Sequence, residues 1–351
     1  MTALSAPDNR RPAYLANSGK DGLRPDVNSS DIAYLPPSLR LLRWRGLSAN
    51  LNFSANTTYD SDSHTKMEWE ADEKEVKAAG AELLPDGRRG LRIHGWEIES
   101  SNRSILTSLN LQSWEEKLET THLPEMMFGD SCLVLKHMSS GTKIHFNAFD
   151  ALLGWKKESL PPVEVPAAAH WKFRSKPFQQ VILDYDYTFT TPYSGSETVE
   201  TGSGADGEEN KDCLKWEDCD EQINVVALAS KKEPILFYDE VILYEDELAD
   251  SGVSFLTVKV RVMPSCWFLL LRFWLRVDGA LMRLRDTRVF CTFNQNSKPL
   301  IIREICWRET SFKALASKGY PSDSASYNDP NIISQRLPIV FHTTQKLKIP
   351  A

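Results

Sequence analysis

The chain has 351 residues, 41% of them hydrophobic, enough to bury a sizeable core in one large or two modest domains. A formal net charge of −7 argues against general nucleic-acid binding. The longest apolar run, Cys266 to Leu271, falls far short of the ~20 residues a membrane-crossing helix needs.

Residues 1–90 are rich in Pro, Ser, Asn, Gly and charge and keep no apolar period, so they read as a poorly ordered extension. Leu39 to Arg45 is a small basic, apolar island within it. Folded sequence is expected from 91 to 351 as a single domain, opening with a strand at Leu91 to Trp96. Ser113-Trp114-Glu115-Glu116 has the form of a capping box, which predicts a helix beginning there. Leu123 to Asp130 is too apolar for an idle loop and is expected to dock on the protein's own sheet or on a partner. Cys132 to His137 and Thr142 to Asn147 form a hairpin, and Asn147 caps a short helix in which Asp150 takes the third position, where a carboxylate suits exposed amides. Asp184 to Thr191 alternates aromatic with polar residues like a strand. Residues 194–221 are Gly/Ser-rich and acidic and read as a mobile insertion.

Ile235 to Tyr244 is another strand, and Val253 to Phe290 is a three-strand meander broken at Pro264-Ser265 and at Asp278-Gly279. Read as a two-residue turn, Asp278-Gly279 sets Arg276 opposite Leu281, Trp274 opposite Arg283 and Arg272 opposite Arg285. One face of the meander then carries Arg272, Trp274, Arg276, Arg283 and Arg285 together with Phe268. Leu275 with Met282 and Phe273 with Leu284 make the core face. Ser311 to Ser317 forms a short helix closed by Gly319, and Asp329-Pro330 starts another. The fold class is α+β: predominantly antiparallel β-sheet, sheet on sheet, with a few short helices.

Catalytic motifs are missing: there is no P-loop, no GxGxxG following a strand, no HExxH and no nucleophile elbow. His137 and His145 could meet across their hairpin, though cross-strand neighbours need not be ligands. Asp184 and Asp186 resemble the aspartate pair with which some glycosyltransferases hold a metal and nucleotide, which leaves a metal-dependent nucleotide-sugar transferase as the alternative. The six cysteines, at 132, 213, 219, 266, 291 and 306, form no CxxC pair, and no apolar leader follows the N-terminus. A soluble intracellular protein with free thiols, without cofactor or metal, is therefore expected.

Binding is the better class. Arg272, Arg276, Arg283 and Arg285 could hold a carboxylate by charge-assisted bonds worth about 1.5–3 kcal/mol each when shielded from water, with Trp274 and Phe268 as apolar anchors. Asp286, near Arg288, fits either a structural pair or a partner contact.

HLPEMMFGD (122–130), FNAFDAL (146–152), DYTFTT (186–191), the long run LYEDELADSGVSFLTVKVRVMPSCWFLLLRFWLRVDGALMRLRDTR (243–288) and ISQRLPI (333–339) together resemble the TIPRL, or TIP forty-one-like, family of regulators of TOR signalling. The resemblance covers residues 91–339. It implies a non-enzymatic protein that binds the catalytic subunits of type 2A, 4 and 6 serine/threonine phosphatases and modulates or inhibits them, alongside a second phosphatase-binding regulator of the pathway. It also implies a cleft for the acidic, aromatic C-terminal tail of the catalytic subunit. Asp150, Leu284 and Asp286 match positions important for phosphatase binding in the family. A monomer in the cytoplasm is expected, with the nucleus also open to it.

Overall fold

A computed structural model describes residues 72–120, 123–153, 163–166, 180–183, 192–199, 214–248, 252–293 and 299–349, all within the unit 55–351. Order begins ahead of residue 91. Asp72 accepts from the Lys74 amide to cap helix α1 (Glu73–Ala78), whose Val76 is buried. Strands β1 (Glu82–Leu83) and β2 (Arg89–Ile93) follow. His94 and Gly95, both at positive φ, then turn the chain into β3 (Trp96–Ser101). The stretch read as one strand is thus a hairpin with a two-residue turn. Helix α2 (Ser108–Leu118) is capped by Thr107, so Ser113 lies inside it and caps nothing.

Strand β4 (Met126–Met127) docks on the protein's own larger sheet. The hairpin of β5 (Cys132–His137) and β6 (Thr142–Asn147) forms as the alternation predicts, and α3 (Ala148–Leu153) follows directly. Strands β7 (Val163–Pro166) and β8 (Gln180–Leu183) pair with each other. Both ends of the acidic stretch are tied into sheets, by β9 (Ser196–Val199) on β6 and by β10 (Glu217–Asp218) on the last strand. The rest of the stretch expected to be a mobile insertion, residues 200–213, lies outside the described residues. After α4 (Val225–Ser230) come five long strands: β11 (Phe237–Asp246), β12 (Gly252–Met263), β13 (Cys266–Val277), β14 (Leu281–Thr292) and β15 (Leu300–Ser311). Helix α5 (Phe312–Ser317), a 3₁₀ turn (Ser324–Tyr327) and α6 (Pro330–Ile333) lead to β16 (Ile339–Lys348).

The strands form a six-stranded sheet, β1-β2-β3-β5-β6-β9, and an eight-stranded sheet, β10-β16-β15-β14-β13-β12-β11-β4, each antiparallel throughout. Alternate residues of each meet in one core: Leu91, Ile98, Leu133, Leu135 and Phe146 from the smaller sheet, Val258, Val260, Leu269, Leu271 and Phe273 from the larger. Each buried side chain of this size contributes roughly 1.5–3 kcal/mol. Trp96 and Trp267, one from each sheet, meet edge to face at 5.3 Å. Asp239 of β11 crosses the gap at one margin, accepting from Ser100 Oγ at 2.6 Å and Arg89 Nε at 2.7 Å.

The β13–β14 register differs by one residue from the sequence expectation. Asp278, Gly279 and Ala280 all belong to the turn: Ala280 N–H donates to Val277 O at 3.0 Å, Gly279 supplies a φ of 75°, and Val277 faces Leu281. Arg272 therefore stands opposite Asp286, Trp274 opposite Leu284, and Arg276 opposite Met282. Because side chains alternate faces, the shift separates the arginines. Arg272 and Arg276 lie on the outer face, whereas Arg283 and Arg285 share the core-side face with Leu275 and Phe273.

Candidate partner-binding site

The outer face of the β13–β14 hairpin is covered by the protein's own chain: Arg272, Trp274 and Arg276, expected to share an open face with Arg283, Arg285 and Phe268, lie there instead with Asp286 and with Leu284, which was expected on the core face. Ser311, the last residue of β15, accepts from the Ala314 amide and launches α5. Asp329 and Pro330 launch α6 in the same manner. Between them Phe312, Tyr327 and Ile333 turn inward, and the rings of Phe312 and Tyr327 meet at 5.4 Å. Trp274, Leu284 and Met282 are fully buried.

Polar groups fasten this cover. Arg272 holds Asp286 with Nε and Nη2, each at 2.7 Å, and its Nη1 reaches Asn331 Oδ1. Arg272 is 8% and Asp286 1% exposed. Burial works against the arginine's charge, but Asp286 outweighs it and raises the guanidinium pKa above its ordinary value. Arg276 binds Asp278 at 2.7 Å and donates to the Tyr327 and Ser324 carbonyls and to Asn328 Oδ1.

Arg283 lies on the other face. Its Nε meets Glu309 Oε2 at 2.6 Å, and Arg285 shares that carboxylate at 3.6 Å while lying 4.2 Å above the Trp307 ring. Trp307 packs on Phe341, which with Ile339 and Val340 makes an exposed apolar start to β16.

Asp150 is the one residue of the expected set that is substantially open, its side chain 28% exposed. It sits in the first turn of α3, and its amide donates to Asn147 Oδ1 at 2.8 Å, as the capping reading requires. Its carboxylate accepts from Ser196 Oγ at 2.6 Å, Asn147 Nδ2 at 2.9 Å and His145 Nε2 at 3.0 Å. Sequence reasoning missed His145 and Ser196 here. His145 lies five positions away on a strand that turns directly into α3, a spacing with no fixed meaning. Ser196 arrives only through the β6–β9 pairing. His137 and His145 fall on opposite faces of their sheet, His137 toward Trp96 in the core, so they do not converge. Asp184 and Asp186 lie outside the described residues.

The geometry thus joins a two-sheet α+β body to a half-open acidic cradle at Asp150 and a polar-fastened cover over the β13–β14 hairpin. Residues 126–316 match the model of the TIP41-like family. A TIP41-like protein of Arabidopsis thaliana is 66% identical over 289 residues, which span 81% of this chain and 99% of the relative. A TIP41-like protein of Homo sapiens is 38% identical over 73% of this chain and 88% of its own length. The Type 2A phosphatase activator TIP41 of Saccharomyces cerevisiae is 35% identical over 76% of each chain. This chain belongs to the TIP41-like family.

Proposed function

We propose that this protein is a non-enzymatic regulator that binds the catalytic subunits of type 2A, 4 and 6 serine/threonine phosphatases and modulates or inhibits them within TOR signalling. The observation that carries the reading is the family match, joined to fungal relatives whose names describe type 2A phosphatase activators. On this reading Asp150 meets the partner directly. Leu284 and Asp286, with Arg272, Trp274 and Arg276, act from beneath by fixing the C-terminal cover, and Arg283 supports the half-open surface of Arg285, Trp307 and Phe341. The acidic, aromatic tail of the catalytic subunit and a second regulator of the pathway are its further proposed partners, with the protein acting as a monomer in cytoplasm and nucleus.

The test is retention of purified type 2A, 4 and 6 catalytic subunits on the immobilised protein, followed by phosphatase assays that read the direction of the effect. Micromolar or tighter binding to at least one subunit is expected. Failure to retain any of the three at that concentration overturns the proposal.

A further inference from the structure

The Asp150 carboxylate is held unevenly. Its Oδ2 takes all three bonds, from Ser196, Asn147 and His145, and no described residue donates to Oδ1. A carboxylate serving only as a helix cap is satisfied by backbone amides. Here every donor is a side chain, drawn from β6 and from the neighbouring strand β9.

The cradle is itself braced. Tyr193 Oη donates to the His145 carbonyl at 3.2 Å and accepts from the Asn147 amide at 3.3 Å, and Ser196 Oγ lies 3.4 Å from the same phenol oxygen. The His145 ring presents Nε2–H to Asp150, while its Nδ1 is buried with no partner. No lysine or arginine among the described residues pairs with Asp150. The carboxylate is aimed and has one oxygen to offer. One turn along the same helix face, Leu153 is 50% exposed.

We infer that Asp150 Oδ1 is the acceptor for a guanidinium or ammonium group on the partner protein, with His145, Asn147 and Ser196 as positioning residues and Leu153 covering the stem of the incoming side chain. This rests on the phosphatase-partner reading and deepens it by naming what the partner must present. Three donors on one oxygen fix the carboxylate's rotation before the partner arrives, so little ordering remains for the encounter.

The experiment measures affinity for a purified type 2A catalytic subunit by calorimetry, with the melting temperature of each variant alongside. Asp150→Asn keeps the shape and removes the charge, and weakens binding on the order of tenfold or more. Ser196→Ala weakens it by a few fold alone and adds nothing on the Asp150→Asn background, the coupling expected of residues that act through one carboxylate. His145→Gln, whose amide can still donate, binds better than His145→Ala. Wild-type affinity falls more steeply with added NaCl than that of Asp150→Asn. Wild-type binding with unchanged affinity in Asp150→Asn overturns this assignment alone. No binding by the wild type overturns the phosphatase reading and the assignment with it. Losses that follow melting temperature, without coupling between Ser196 and Asp150, make the cradle a structural cap and likewise overturn it.

Discussion

Arg272 and Asp286 stand directly across the β13–β14 ladder from each other, and both carboxylate oxygens are held at 2.7 Å by the one guanidinium. The pair lies beneath α6, where Asn331 takes the remaining arginine nitrogen. Removing one member of a buried pair strands the other charge out of water, at a cost of about 3–5 kcal/mol, whereas replacing both with apolar groups is far milder.

Asp286→Asn should accordingly lower stability by about 3–5 kcal/mol, and a double substitution of Arg272→Met with Asp286→Leu should recover most of it. Urea titrations of the three variants check this. A melting profile for Asp286→Asn that matches the wild type contradicts the burial. The same logic governs binding data: a defect in an Asp286 variant traces to the misplaced cover before it traces to a lost contact.

Arg276 ties the turn Ser324–Tyr327 to β13 through two carbonyls and Asn328. Arg276→Lys retains charge but cannot span these acceptors. It should cost roughly 1.5–3 kcal/mol and raise amide exchange between residues 312 and 337 more than elsewhere. Exchange that rises evenly along the chain instead contradicts a role confined to the cover.

How much of this was legible in the sequence depends on the range of the interaction. The three strands of the meander, the Pro264-Ser265 break, the Ser311 and Asp329 caps and the β5–β6 hairpin are written in local alternation and capping chemistry, and they form where expected. The meander register was misread because Asp-Gly suits both a two-residue and a three-residue connection. Charge could have decided between them: the first sets Arg272 against Arg285, the second sets it against Asp286. Nothing local tells that Asn328 and Asn331, more than fifty residues on, return to cover those arginines, or that Ser196 completes the cradle at Asp150. The helix start at Ser113 was displaced because Thr107 offered a cap six residues earlier.

His137 gives a pH dependence. Burial against Trp96 pushes its pKa below the ordinary 6.5, so the unfolded chain binds the proton more readily than the folded one. Stability is therefore complete above pH 6.5 and falls as pH drops below it, levelling off once the folded-state ring also titrates. Glu97 acts in a separate, lower window: burial raises its pKa, but Arg88 and Arg92 outweigh that and hold it below 4.5, so its contribution is lost only under that value. His137→Gln should flatten the slope over the range below pH 6.5. Melting temperatures across that range check it, and an unchanged slope contradicts the assignment.

Arg303 of β15 and Glu197 of β9 join the two sheets at 3.0 Å, with the Trp216 ring 3.8 Å from the guanidinium and its Nε1 donating to the same carboxylate at 2.7 Å. Burial pushes the Arg303 pKa down to about 10 even though Glu197 opposes the shift. Desolvation therefore works against the attraction, and the pair is expected to fix the approach of the sheets without adding net stability. Glu197→Ala leaves Arg303 buried beside a ring and should cost about 2–3 kcal/mol, discounted from a fully buried pair because the carboxylate is partly wet. Arg303→Met with Glu197→Leu should be close to neutral or slightly stabilising. If the double variant loses as much as Glu197→Ala, the interaction contributes net stability and the desolvation argument is wrong. A further distinction comes from Trp216→Ala alone, which removes the ring and a donor to Glu197 but leaves the ion pair. It should free the β10 end of the acidic stretch, read as faster proteolysis there, while the melting temperature moves by only a few degrees.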